Sequence, residues 1–210
     1  MLSCDDGPLK KFNEKKKARP QFLFDLSLFP EPYFGREDAP VVALTLNPGK
    51  SADDKSLHAD SQFLKDAWGS LSHSLRPPFL HLMDQHADTP GGKWWRQKWG
   101  PVIEEVGIKP VRDSLLCIQY FPYHSEKFGS RSLRVESQTY SFELLRRAIE
   151  RGAEVVVMRS WSLWSNRVKE LLEYKFLHKV NSWQNPTISV KNLGGPQGFE
   201  TICRRLERGS

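Results

Sequence analysis

Residues 40–49 read PVVALTLNPG. An apolar run with adjacent valines, bounded by Pro40 and closed by Asn47-Pro48-Gly49, predicts a buried strand that opens into a tight turn. Pro48 restricts φ, and Gly49 lets the backbone turn closely past a ligand. Three further runs share the pattern. Residues 114–121, SLLCIQYF, predict a second buried strand, stopped by Pro122. Residues 154–159, EVVVMR, predict a third, and residues 176–180 a weaker fourth. Helical patterns fall between them. Phe142, Leu145, Ala148 and Ile149 line one face of a segment ending at Gly152. Leu163, Val168, Leu171 and Leu172 mark a helix over residues 162–173, and residues 199–206 a short closing helix. Apolar strands alternating with amphipathic helices predict an α/β fold: a three-layer α/β/α sandwich around a mostly parallel sheet of about four strands. In such sheets ligands bind beyond the carboxyl ends of the strands, so chemistry is sought in the segments that follow them.

The chain of 210 residues fits one domain, with a basic arm over about the first twenty residues. Lys10, Lys11, Lys15, Lys16, Lys17 and Arg19 give that arm the pattern of a solvated helix outside the core, or else of a phosphate-contacting arm. The net charge of +6 permits an anionic partner and favours nucleic acid over an acidic protein. Cys4, Cys117 and Cys203 form no CxxC pair, which excludes a zinc ribbon or a disulfide framework and implies a reducing, cytoplasmic setting. The polar, acidic start is unlike a signal peptide, and no apolar run approaches the length of a membrane span. A soluble monomer is expected.

Phosphate-loop, GxSxG and HExxH motifs are absent. His81, Asp84 and His86 lie close in sequence, as do Asp53, Asp54 and His58, but neither spacing matches a metal motif, so no metal and no cofactor is expected. Asn47 offers an acceptor and a donor where its strand ends. Gln119, Tyr120, Phe121 and His124 follow the second strand, beyond whose end ligands are sought; the rings could stack on a base and the imidazole could donate to an anion. Asn185, Thr187, Ser189 and Lys191 form a polar loop after the last strand, suited to a nucleic-acid backbone. Trp95 and Trp99, at helical spacing, read as core with Arg96 and Lys98 outside. Arg159 ends the third strand, where it contacts phosphate or pairs with an acid.

Two of these segments carry a resemblance. Leu46-Asn47-Pro48-Gly49 resembles the first motif, GINPG, of the mismatch-specific uracil/thymine branch of the uracil-DNA glycosylase superfamily. Asn185-Pro186-Thr187-Ile188-Ser189 resembles that branch's second motif, NPSGLS, one residue shorter. The resemblance implies a DNA glycosylase without cofactor that flips a uracil-like or mismatched base out of single- or double-stranded DNA and hydrolyses its N-glycosidic bond. By the same resemblance Asn47 positions the water and Asn185 approaches the leaving base. Pro48, Gly49, Gln119, Tyr120, Phe121, His124, Thr187, Ser189 and Lys191 then contact the substrate. Thr45 stands where the family has the leading Gly, and its branched side chain is expected to narrow the pocket. The alternative is a non-catalytic protein that binds nucleic acid or a nucleobase on the same fold. A hydrolase for small nucleotides is a third possibility.

Overall fold

The computed structural model describes residues 2–129 and 132–209. In chain order the elements are α1 (Asp6–Lys16), β1 (Tyr33–Gly35), β2 (Val41–Thr45), α2 (Asp54–Leu57), α3 (Ser61–Leu71), α4 (Pro90–Lys98), α5 (Gly100–Val106), α6 (Ile108–Ser114), β3 (Leu115–Gln119), α7 (Gln138–Glu150), β4 (Glu154–Val157), α8 (Trp161–Arg167), β5 (Leu177–Lys179) and α9 (Pro196–Gly209). The strands form one sheet in the order β1-β3-β2-β4-β5, parallel throughout except for β1. The fold is the expected α/β class, but with five strands rather than four. The fifth, β1, sits between Pro32 and Gly35 and is too short to leave a pattern in the sequence.

Alternation along each strand builds the layers. Val41, Ala43, Leu115, Cys117 and Val156 point to one face, where Phe63, Trp95, Trp99, Val102, Val111, Ile202 and Leu206 cover them from α3 to α6 and α9. Val42, Leu44, Leu116, Ile118, Val155 and Val157 point to the other, under Leu9 of α1, Leu144, Leu145 and Ala148 of α7 and Trp164 of α8. Burial pushes the Cys117 thiol far above its ordinary range.

The helices are as expected for α7, while α9 is longer than predicted. Residues 162–173 are not one helix. α8 stops at Arg167, Val168 leaves the helical backbone at φ −117° and ψ 89°, and Lys169–Glu173 form a 3-10 turn. Val168 and Leu171 are buried as expected, but Leu172 is 59% exposed. The basic arm is also corrected. Leu9 is fully buried and Phe12 packs against Phe24, so α1 is part of the second face rather than a helix outside the core. Among the described residues no helix is long and apolar enough to cross a membrane.

α2 to α6 carry the chain from β2 to β3 over one face. α7 then carries it over the other face to β4, on the far side of β2. The carboxyl ends of β2 and β4 therefore border the point where the connections diverge, the place where open α/β sheets hold ligands.

Candidate functional site

A cavity of about 520 Å³ opens there, lined by Thr45 to Ser51 after β2, Gln119 at the end of β3 and Arg159 after β4. Its floor and walls add Glu31, His58, His81, His124 and Trp94.

Asn47 is half-buried and its amide nitrogen is fully engaged. Nδ2 donates to the carbonyls of Pro48 at 2.9 Å and Tyr123 at 3.1 Å and to Ser125 Oγ at 3.0 Å. Three acceptors around one nitrogen define the orientation of the amide. They leave Oδ1 as the group Asn47 can offer, an acceptor for a water or a donor on a ligand. Gln119 is the complement. Thr45 Oγ1 donates to its Oε1 at 2.5 Å, which turns the Nε2 donor to other partners. Thr45 lines the cavity, and its hydroxyl orients the neighbouring amide.

Beneath them Glu31 is buried among three imidazoles. His81 Nε2 lies 3.3 Å from Glu31 Oε2. Burial pushes the Glu31 carboxyl up, but His81, His124 and His58 outweigh it and hold the group down at about 2. Burial lowers the pKa of His58, against the pull of Glu31. Glu31, His58 and His124 are close enough to share a metal ion. Their hydrogen bonds oppose that use. The Phe29 N–H donates to His58 Nδ1 at 2.9 Å, which leaves the ring proton of neutral His58 on Nε2. His124 Nδ1 faces the Gly49 carbonyl at 2.8 Å and Nε2 faces the Phe29 carbonyl at 3.1 Å. His58 Nδ1 and both ring nitrogens of His124 are thus taken by hydrogen-bond partners, so the geometry is that of a hydrogen-bonded cluster.

Arg159 supplies positive charge. Its Nε is buried without a partner, and burial lowers its pKa. Lys98 is 9% exposed, not outward as expected. Its pKa is lowered by burial and by Arg159, and its Nζ donates to Asn185 Oδ1 at 2.7 Å.

Asn47, Pro48, Gly49, Gln119 and His124 thus come together around one cavity. The remaining expected residues do not line it. Tyr120 is buried between Phe142 and Trp164, and Phe121 against Phe24 and Phe128, because the chain beyond β3 turns into the second apolar face. Neither ring is available to stack on a ligand, whereas Trp94 on α4 lines the cavity. Asn185, Thr187, Ser189 and Lys191 form a loop beside the cavity. Asn192 organises it, its Nδ2 donating to the carbonyls of Asn185 at 3.2 Å and Thr187 at 2.8 Å. The Ile188 N–H donates to the Lys98 carbonyl at 2.8 Å and seats the loop on α4.

Sequence reasoning missed Glu31, which has no motif around it. It grouped His58 and His81 with their sequence neighbours rather than with each other. Compared with family models, curated proteins and solved structures, the chain gives no significant match.

Proposed function

We propose that the chain is a uracil-DNA glycosylase-like hydrolase acting on the N-glycosidic bond of a uracil-like or mismatched base in DNA. The observation that carries this reading is the pairing of Asn47 and Gln119 on one cavity, an oriented acceptor beside an oriented donor. Asn47 Oδ1 holds the attacking water by accepting one of its hydrogens. The Gln119 amide and the Arg159 guanidinium donate to the base as it leaves with negative charge. Trp94 offers a ring face to the flipped base. Asn185, exposed and bonded to Lys98, moves in this reading from the reacting centre to the strand that carries the base. Single- and double-stranded DNA remain alternative substrates.

The second reading, a non-catalytic binder of nucleic acid or a nucleobase, draws on the chemistry of the same groups. An amide cannot take up a proton, and Glu31 is held as a weakly basic carboxylate. An assay separates the two. Labelled single- and double-stranded oligonucleotides containing uracil, hypoxanthine or a G·T mismatch are incubated with the protein and then treated with alkali. Strand cleavage that falls by roughly a hundredfold or more in Asn47→Ala is expected, the size of losing a transition-state hydrogen bond. Saturable, salt-dependent binding without cleavage, unchanged in Asn47→Ala, establishes the binder instead.

A further inference from the structure

A second cavity, of about 350 Å³, lies at the other end of the sheet. Its lining comes from the turn after β1, the segment after α3 and the last turn of α7, where the amino ends of the parallel strands begin. Four arginines line it, Arg36, Arg76, Arg147 and Arg151, against two acids, Glu37 and Asp38.

The acids are already engaged. Arg36 Nε lies 2.6 Å from Asp38 Oδ1, and Arg147 Nη1 lies 3.1 Å from Glu37 Oε1. Arg76 and Arg151 are left with backbone carbonyls. Arg76 Nη1 donates to Leu75 at 2.6 Å and His73 at 3.1 Å, and Arg151 Nη2 to Ala39 at 3.1 Å. Among the described residues neither guanidinium has a carboxylate within ion-pair distance. Arg151 is exposed, although desolvation of its guanidinium lowers its pKa against the pull of Asp38 and Glu37. Three polar atoms on the same lining have no hydrogen-bond partner, among them Arg36 Nε, whose contact with Asp38 is an ion pair only. Ser70 is 5% exposed, and its Oγ is buried with no hydrogen-bond partner; His73 Nδ1 is buried and unpartnered as well. Unmatched buried groups are uncommon and call for a ligand or an ordered water.

We propose that this cavity binds a small phosphate-bearing anion, with Arg76 and Arg151 meeting its charge and Ser70 Oγ and His73 Nδ1 hydrogen-bonding its oxygens. Phosphate matches the set better than a carboxylate, because its oxygens diverge from one centre and can reach donors on separate segments. The tetrahedral group bridges α7 to the segment after α3. The site is independent of Asn47 and of the reaction proposed there.

The test is calorimetric titration of the full chain at constant ionic strength with three ligands: inorganic phosphate, a nucleoside 5′-monophosphate and the same nucleoside without phosphate. Saturable binding of phosphate but not of the nucleoside is expected. Tighter binding of the monophosphate identifies a phosphate ester as the ligand, and equal binding identifies the free anion. Arg76→Gln, at an exposed side chain, is expected to weaken phosphate binding roughly ten- to a hundredfold, the loss of one charge-assisted contact. Ser70→Ala is expected to weaken it while the protein stays at least as stable. Asn47→Ala is expected to leave it unchanged, so this site and the proposed reaction fail separately. No saturable phosphate heat in the wild type, or equal binding in Arg76→Gln and Ser70→Ala, overturns the proposal and leaves a water-filled cavity ringed by solvated arginines.

Discussion

Gly91 stands against the ring of His81. A Cβ built on it would lie 2.4 Å from His81 Nδ1 and 2.6 Å from Cε1. His81 in turn contacts Glu31, so the absence of a side chain at residue 91 keeps the charge cluster under the cavity in place. Gly91→Ala is expected to cost about 1–3 kcal/mol in urea unfolding, the usual size of overpacking a filled site. Gly49→Ala, with open space around its Cβ, should cost much less. Similar losses in the two variants would show that His81 yields freely. Single residues also show where the sequence was legible. Asn47 announced itself because Asn-Pro-Gly after an apolar run is local chemistry. Glu31 did not, because the imidazoles that define its environment belong to distant parts of the chain, and only folding brings them within hydrogen-bonding range.

α1 shows the same division among elements. Its lysines dominate its composition and conceal the single row, Leu9 and Phe12, that packs inward. Its anchor is Asp5, fully buried, which accepts hydrogen bonds from the Tyr123 hydroxyl at 2.7 Å and from the Ser137 hydroxyl at 2.6 Å and N–H at 3.1 Å. Burial and the Asp5 carboxylate both push the Tyr123 phenol above its ordinary range. Asp5→Ala strands these donors and is expected to cost about 1–3 kcal/mol. Lys10→Ala removes only an exposed pair with Asp6 and should change stability by less than about 0.5 kcal/mol. Equal denaturation midpoints for both variants would mean that α1 adds nothing to the fold. The break between α8 and the turn after it was likewise hidden, because Val168 and Leu171 keep an apolar spacing that a helix would also satisfy.

The charge state of the folded chain sets its response to acid. His58 and His73 have pKa values lowered below 6.5, in each case chiefly by burial. Folding therefore favours their neutral forms, and the unfolded chain takes up more protons as pH falls through 6.5. Stability present above that pH is lost below it. Glu31 is lowered from 4.5 to about 2, so its contribution is present above pH 4.5 and is lost on the way down to about 2. Both changes have the same sign. The melting temperature is expected to hold near neutral pH, decline below pH 6.5 and decline again below 4.5. His58→Asn retains an acceptor for the Phe29 N–H and removes one titrating group. Its first decline should be shallower than the wild type's, and an unchanged profile would take the effect away from His58.

The sequence by itself determined the layers. An uninterrupted apolar run marks a strand buried on both faces and needs only the order of residues along it, so four strands, a sheet covered on both faces and the end at which Asn47 emerges were all local information. The tertiary structure alone decided which polar groups meet. It placed Gln119 under the hydroxyl of Thr45 and gathered Glu31 with His58, His81 and His124. It turned Tyr120 and Phe121 into the core and set Asn185 on Lys98, outside the cavity its motif was expected to enter. The physical reason is one of range. Apolar burial follows a periodicity written along the chain, whereas a hydrogen bond or a buried charge depends on an atom supplied by a segment remote in sequence.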